Sequence, residues 1–298
     1  MATIVIHEVG PRDGLQAEGQ VVPTAVKEAW IRALMRTGLD IVQVGSFVHP
    51  DKVPQMADTD ELCRRLSAHR EGSALLSALV LNEKGLDRGL ACGVELFCMG
   101  ASASDTHSRK NTGMGTVEAQ RRIIAMGLAA QAAGKRVQVS IQSAFGCGFE
   151  GRVPEARVLE MAQGYLDAGL WNLSLADTAG HAYPEQVRRL FGALGGVSGL
   201  QLTGHFHDTY GMGMANIYAA LAEGASTFET SIAGLGGCPF TRVAAGNVAT
   251  EDFAHGLARA GRRQDVDLAG LVAVAQAVAG FFGRDLTGRV YRAGLVGY

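Results

Sequence analysis

Short apolar runs rich in β-branched residues recur along the chain, and most of them are followed by a stretch with helical periodicity. The runs predict eight buried strands, at residues 3–9, 40–47, 74–81, 93–101, 136–144, 170–178, 200–208 and 227–235. Helical patterns predict helices at residues 25–37, 116–133, 155–168, 184–194, 213–223 and 268–282. Strands that alternate with helices form parallel sheets covered on both faces. Eight such units favour an α/β fold, the closed (β/α)8 TIM barrel.

An open doubly wound sheet is the main alternative architecture. Such a fold usually carries a G-x-G-x-x-G turn after its first strand, whereas residues 10–16 of this chain read GPRDGLQ. The chain has no Pro/Ser-rich linker and no internal repeat. We therefore expect one domain over residues 1–298, with a C-terminal helical extension from about residue 262 that covers one side of the barrel.

Composition and charge narrow the class of protein. Hydrophobic residues make up 47% of the 298 positions and charged residues 19%, which excludes a disordered chain. With 27 Lys and Arg against 29 Asp and Glu, the net charge of −2 argues against a nucleic-acid partner. Five cysteines without a C-x-x-C pair indicate a reducing compartment, so a cytoplasmic location is expected. The opening MATIVIHEV has no signal-peptide features and the longest apolar stretch is short, so no membrane partner is predicted.

Polar residues interrupt the apolar runs mostly at one end of the predicted strands. They are Glu8, Arg12 and Asp13 around the end of strand 1, Gln43 and Ser46 in strand 2, Gln142 and Ser143 in strand 5, Ser174 and Asp177 in strand 6, and His205, His207 and Asp208 in strand 7. Active sites of such barrels lie at the C-terminal ends of the strands and in the following loops. The pattern therefore predicts a functional site at that end of the barrel.

The sequence His205-Phe206-His207 in strand 7 is the sharpest local signal. Side chains two residues apart on a strand point to the same side, so both imidazoles would face the barrel axis as half of a metal site. A pair of structural histidines is the alternative. Asp13 offers a carboxylate from another strand end, unless it only forms a salt bridge with Arg12. Two imidazoles and one carboxylate leave positions for water or substrate oxygens, which suits Mg²⁺ or Mn²⁺.

Cys238 lies in a glycine-rich loop that reads Gly-Leu-Gly-Gly-Cys-Pro at residues 234–239. Glycines allow the backbone to approach a ligand closely, so the thiol could exchange a proton with a substrate at the barrel mouth. An inert loop thiol fits the same spacing equally well. The spacing alone does not choose between these two interpretations.

Several motifs together resemble the 3-hydroxy-3-methylglutaryl-CoA lyase family. They are VGPRDGLQ (9–16), SFVHPDKVPQM (46–56), GFEG (148–151), SLADTAG (174–180), HFHDTYG (205–211), GLGGCP (234–239) and AGNVATED (245–252). The motifs follow the family's order over about residues 3–255, which makes the set specific. The resemblance implies a metal-dependent carbon–carbon lyase on a (β/α)8 barrel. Such an enzyme would cleave 3-hydroxy-3-methylglutaryl-CoA (HMG-CoA), or a related 3-hydroxyacyl-CoA, to acetyl-CoA and a keto acid.

The same resemblance implies roles for individual side chains. The ligands of one divalent cation, Mg²⁺ or Mn²⁺, would be Asp13, His205, His207 and Asn247. Arg12 would hold the thioester oxygen as negative charge develops on it, and Cys238 would protonate the departing carbanion. Asp177 would orient a group that contacts the substrate or the cation, with a structural role as the alternative. The group that takes the hydroxyl proton stays open between Asp13 and a metal-bound hydroxide.

The residues after strand 4 are expected to bind the CoA part of the substrate. The predicted loop 100–113 carries Arg109, Lys110 and Asn111, and the family uses this region near the acyl-CoA. A solvated basic loop is the alternative. The resemblance further implies a homodimer or a larger homo-oligomer and a place in leucine degradation.

Gln43 is the main departure from the family, whose strand 2 usually carries a glutamate at this position. An amide can replace the hydrogen bonds of a carboxylate but not its charge or its capacity to accept a proton. We therefore expect weak activity on HMG-CoA and better activity on another 3-hydroxyacyl-CoA. Two other functions stay open: a related aldolase or Claisen-type condensing enzyme acting on a different acyl substrate, and a ligand-binding barrel with reduced turnover.

Overall fold

Eight parallel strands close into a barrel at the centre of the molecule. The computed structural model describes residues 3–237 and 245–296. Within those ranges each strand pairs with the next one in sequence, and β8 pairs with β1. The strands are β1 Val5–Glu8, β2 Ile41–Ser46, β3 Leu75–Leu79, β4 Leu96–Ser102, β5 Arg136–Gln142, β6 Asn172–Asp177, β7 Gln201–Phe206 and β8 Thr227–Thr230. Each overlaps one of the predicted strand runs, so the predicted TIM barrel is confirmed.

Apolar side chains cover both faces of the strands, which is why the strand sequences are nearly continuous hydrophobic runs. Residues such as Ile6 and Val42 are buried in the large core under the surrounding helices. A smaller cluster of Ile41, Leu96 and Cys98 packs separately from that core. Layers of branched side chains typically fill the interior of such a barrel. The polar side chains of the site therefore gather at one end of a packed interior.

Helices surround the barrel on its outside. They are α1 Thr24–Met35, α2 Thr59–Ala68, α3 Glu83–Ala91, α4 Asp105–Thr112, α5 Thr116–Ala132, α6 Glu155–Asp167, α7 Pro184–Gly195, α8 Gly213–Ala222, α9 Thr250–Arg259, α10 Leu268–Phe282 and α11 Val290–Ala293. Helix α4 corrects the prediction of a loop over 100–113. Ser104 caps its N-terminus, with its Oγ accepting the backbone N–H of His107 at 3.1 Å, and Gly113 in the left-handed conformation caps its C-terminus. Among the described residues, no helix has both the length and the apolarity needed to cross a membrane.

The C-terminal extension packs against the side of the barrel where the chain begins. Helix α10 has the predicted bounds and contacts α1 and α9, with the rings of Trp30 and Phe281 5.5 Å apart. Just before it, the buried guanidinium of Arg263 donates to the backbone oxygens of Ile4 at 2.7 Å and Gly38 at 2.8 Å. The extension is thereby tied to the start of β1 and to the end of α1. That residues 1–298 form a single domain stays a prediction.

Candidate metal centre and active site

The turn that follows β1 carries Arg12 and Asp13 to the mouth of the barrel. Glu8 ends β1, is fully buried, and accepts the backbone N–H groups of Gly10 at 2.6 Å and Ile232 at 2.9 Å. A Cβ at Gly10 would lie 2.6 Å from Oε1 of Glu8, so this close approach requires a glycine. Burial raises the pKa of Glu8 to about 7. The turn is therefore fixed to the loop after β8 through a buried side chain.

Asp13, His205 and His207 come together at one point. Oδ2 of Asp13 lies 3.8 Å from Nε2 of His205 and 3.7 Å from Nε2 of His207. One ligand atom from each of the three side chains lies within 4.8 Å of the others. These separations are long for hydrogen bonds, but ligands that bind a cation at about 2.0–2.3 Å lie roughly 3–4 Å from one another. The predicted trio therefore has the donors and the spacing of a metal site.

Asn247 completes the polar surroundings of Asp13. Its Nδ2 donates to Oδ2 of Asp13 at 2.8 Å, while its buried Oδ1 has no hydrogen-bond partner in the part of the chain that the structure describes. A buried amide oxygen without a partner is costly, and a bound cation would satisfy it. Burial alone would raise the pKa of Asp13, but the guanidinium of Arg12 and the imidazoles hold it well below its usual range. Asp13 is therefore ionised, as a metal ligand must be.

Arg12 is nearly buried and is held between two side chains. Its Nη1 donates to Oδ1 of Asp13 and its Nε donates to Oε1 of Gln43. Gln43 lies where the pairing of β2 with β3 shifts by one residue, and such a bulge re-aims the side chains beside it. These contacts fix the direction of the guanidinium toward the open end of the barrel.

Glu229 on β8 is a site residue that the sequence analysis misses. Its Oε2 lies 2.6 Å from Nδ1 of His205, and its Oε1 lies 3.6 Å from Nδ1 of His7. Burial alone would lower the pKa of His205, but the hydrogen bond and the charge of Glu229 raise it overall. The available sequence signal was a glutamate inside the predicted strand 227–235, but its register beside His205 on the neighbouring strand appears only in the structure.

A cavity of about 390 Å³ opens beside these residues. Its wall combines the charged and imidazole groups of the metal centre with uncharged polar side chains and a few apolar ones. The lining residues include Arg12, Asp13, Gln43, His107, Asn111, Gln138, His205, His207, Glu229 and Gly237. Among the described lining residues, Arg12 is the only one with a permanent positive charge. The cavity therefore offers an anionic or oxygen-rich ligand one fixed cation beside a metal site.

Comparison with known proteins places the chain in a family. A family model described as HMGL-like matches residues 3–278. The hydroxymethylglutaryl-CoA lyase of Pseudomonas mevalonii is 38% identical over 296 residues, which cover 99% of this chain and 97% of that protein. The chain belongs to the HMGL-like family. The (R)-citramalyl-CoA lyase of Chloroflexus aurantiacus is 35% identical, over 99% of this chain and 96% of that protein.

A solved structure agrees with this membership. The HMG-CoA lyase of Acinetobacter baumannii, in complex with coenzyme A and 3-methylmalate, matches with a TM-score of 0.92 and 33% identity. The match covers 98% of this chain and 95% of that one. As a member of the HMGL-like family the protein is an enzyme, a carbon–carbon lyase. The resemblance stated from the sequence motifs is therefore confirmed.

The residues predicted to bind CoA do not share one environment. Asn111 on α4 lines the cavity, as does His107 one turn earlier on the same helix, which the sequence analysis does not single out. Arg109 instead donates to Oδ2 of Asp105 at 2.7 Å, and Nζ of Lys110 lies 4.5 Å from the centre of the Phe149 ring. Substrate binding by Arg109 and Lys110 stays a prediction, made from positions outside the cavity lining.

Asp177 and Cys238 also stay predictions. Asp177 ends β6, is fully buried, and accepts the backbone N–H groups of His181 at 2.7 Å and Ala182 at 3.1 Å. Burial raises its pKa to about 7. It does not line the cavity, and its contacts are those of the structural alternative, a carboxyl group that holds the β6–α7 loop. Cys238 lies outside the described residues, directly after Gly237 of the cavity wall.

Proposed function

We propose that the protein cleaves HMG-CoA or a related 3-hydroxyacyl-CoA to acetyl-CoA and a keto acid. The observation that carries the proposal is the position of Asp13, His205 and His207, whose ligand atoms lie within 4.8 Å of one another beside Arg12. In the reaction, the C3 hydroxyl loses its proton, the C2–C3 bond breaks and C3 becomes a ketone. The electron pair passes to C2 as the enolate of acetyl-CoA, which then takes up a proton.

The donor set fits one divalent cation that prefers oxygen and imidazole ligands. Asp13, His205 and His207 would hold it. Oδ1 of Asn247, which has no hydrogen-bond partner among the described residues, is a further ligand atom next to the same carboxylate. Two imidazoles with oxygen donors suit Mn²⁺ or Mg²⁺, while Zn²⁺ usually takes more nitrogen or sulfur ligands. When bound, such a cation supplies Lewis-acid polarisation of the substrate's oxygens.

Arg12 would stabilise the negative charge that develops on the thioester oxygen. Its guanidinium is already oriented by Asp13 and Gln43, so little reorganisation is needed when the charge appears. Removal of one such donor costs roughly 10²–10³ in rate in other enzymes. Cys238 is proposed to deliver the proton to C2, since it directly follows Gly237 of the cavity wall in the sequence.

The preferred substrate is proposed to carry an acyl group other than that of HMG-CoA. Gln43 supports this second candidate substrate. A glutamate at position 43 would place a negative charge next to Arg12 and near the proposed metal ion. The amide of Gln43 adds no such charge. One relative of similar identity carries the name of a citramalyl-CoA lyase, so membership of the family is compatible with another acyl group.

A panel of 3-hydroxyacyl-CoA thioesters with Mg²⁺ or Mn²⁺ tests the proposal, with acetyl-CoA release as the readout. We expect turnover on at least one thioester in the usual range for enzymes, roughly 1–10³ s⁻¹. Chelation should abolish it and added cation should restore it. The matched control is Asp13→Asn, which keeps the size of the side chain but removes a charged ligand. Acetyl-CoA release that Asp13→Asn or chelation leaves unchanged would contradict the proposal.

The oligomeric state, the cellular location and the pathway of the enzyme are proposed from the same resemblance. We propose that the chain forms a homodimer or a larger homo-oligomer, acts in the cytoplasm and takes part in leucine degradation. Its buried free cysteines, such as Cys63 and Cys92, support a reducing compartment. Sedimentation velocity of the purified protein tests the oligomeric state directly.

A further inference from the structure

We infer that Glu229 is a positioning residue for the metal site, because it fixes the imidazole of His205 with Nε2 turned toward Asp13. Oε2 of Glu229 lies 2.6 Å from Nδ1 of His205, and Nε2 of the same ring lies 3.8 Å from Oδ2 of Asp13. The inference rests on the metal site of the proposed function. It adds a residue that is not itself a ligand.

The barrel geometry explains why a residue of β8 holds a ligand on β7. Strand β8 lies between β7 and β1, and Glu229 is paired in register with His205 on one side and with His7 on the other. Residues in register on neighbouring parallel strands point to the same face, which here is the cavity side of the barrel. The carboxylate of Glu229 therefore lies between two imidazoles at the same level.

The hydrogen bond determines which nitrogen of His205 is free to bind a cation. A carboxylate can only accept a hydrogen bond, so the nitrogen facing it must carry the hydrogen. Glu229 therefore selects the form of the His205 ring with hydrogen on Nδ1, which leaves the lone pair on Nε2. His207 differs, since its buried Nδ1 has no hydrogen-bond partner among the described residues. His205 is thus the ligand whose orientation is fixed in advance, and His207 is the ligand that can adjust.

A purely structural role would not require a carboxylate at this position. Glu229 is almost fully buried, and a buried charge is costly unless it is paired and hydrogen-bonded. Its second oxygen is 3.6 Å from Nδ1 of His7, beyond hydrogen-bond distance, while Nε2 of His7 lies 2.8 Å from the hydroxyl of Ser77. The hydrogen bond to His205 is therefore the contact that accounts for a carboxylate here.

Two variants test the inference, with Mn²⁺ affinity by calorimetry and the ring nitrogen-15 shifts of His205 as readouts. Glu229→Leu removes the acceptor and should weaken Mn²⁺ binding by about 10–100-fold, the usual effect of losing a group that orients a metal ligand. In the metal-free protein at alkaline pH, the ring of His205 should change from the Nδ1–H form to a mixture of forms. Glu229→Gln keeps an acceptor, so the Nδ1–H form should persist and affinity should fall by less than about tenfold.

The matched control is His7→Gln, which alters the same buried cluster without touching His205. It should change Mn²⁺ affinity by less than about threefold and leave the ring form of His205 unchanged. An equal loss in His7→Gln, or wild-type affinity and ring form in Glu229→Leu, would overturn the inference. If Glu229→Leu does not fold, the metal-free wild type decides, because absence of the Nδ1–H form of His205 there overturns the inference. If the wild type binds no Mn²⁺, the proposed function fails, while the ring form of metal-free His205 still decides the role of Glu229.

Discussion

The carboxylate of Asp13 serves four neighbours at once. One oxygen accepts from Arg12, and the other accepts from Asn247 and lies within 3.8 Å of both imidazoles. A single side chain therefore links the guanidinium of Arg12 to the two imidazoles of the candidate metal site. Because these contacts share one group, their energies are not independent, and substitutions around Asp13 should be non-additive.

Gln43 gives the sharpest prediction for a single residue. We expect Gln43→Glu to raise turnover of HMG-CoA by at least about tenfold, because it restores a carboxylate that can take up a proton beside Arg12. The same substitution should lower turnover of the thioester that the wild type prefers. Steady-state kinetics on both substrates measure the change.

The control for that substitution is Gln138→Glu, which adds the same charge to the cavity from β5. It should not increase turnover of HMG-CoA. If the wild type cleaves HMG-CoA at roughly 1–10³ s⁻¹ and Gln43→Glu leaves the rate unchanged or lowers it, the prediction is wrong. The amide would then be a neutral replacement within an ordinary HMG-CoA lyase.

At the scale of elements, α4 presents one face to the cavity and another to solvent. His107 and Asn111 lie four residues apart, so they share a helix face, and both line the cavity. Arg109 pairs with Asp105 on the exposed side. The segment that the sequence suggests is a basic loop is thus a helix whose cavity-facing side is polar.

This division of α4 predicts different effects for two neighbouring alanine variants. Asn111→Ala should raise the KM for the acyl-CoA by about 3–10-fold, the value of one lost hydrogen bond. Arg109→Ala should change KM by less than about twofold, because it removes only an exposed ion pair. If the phosphates of CoA bind Arg109 instead, Arg109→Ala will raise KM at least as much as Asn111→Ala, and the effect will weaken with added salt.

At the scale of the whole molecule, a buried carboxyl group joins α9 to the loop that follows β8. Glu251 at the start of α9 is fully buried, and its Oε2 accepts the backbone N–H of Ala233 at 2.9 Å. Burial, together with the charges of Asp252 and Glu8, raises the pKa of Glu251 to about 8. The folded protein therefore holds a proton on Glu251 at pH values where the unfolded chain has released it.

The consequence is a pH dependence of stability with a definite sign. The contribution of Glu251 is complete below its ordinary pKa of 4.5 and is lost as the pH rises through about 8. Its slope is at most about 1.4 kcal/mol per pH unit. Relative to the wild type, Glu251→Gln should gain thermal stability steadily across this range. A difference in Tm between the two proteins that does not change with pH would contradict the assignment.

The sequence predicts the barrel and the candidate metal ligands but not the residues that support them. The ligands are visible because His205 and His207 alternate along a strand and Asp13 follows another strand end. Glu229 acts across the register of two neighbouring strands, and no local pattern encodes that register. Helix α4 has few apolar residues, so hydrophobic periodicity gives no signal for it, and only the cap at Ser104 marks where it starts.

The closure of the barrel by β1 and β8 also sets an order of events during synthesis. Asp13 and Asn247, which share a hydrogen bond, are 234 residues apart in the chain. At roughly 5–20 residues per second, a ribosome makes Asn247 roughly 10–50 s after Asp13. For most of that interval β1 lacks its partner β8 and has an unpaired edge, the kind of surface that chaperones cover. A cation held by both Asp13 and Asn247 would therefore be captured only after most of the chain has been translated.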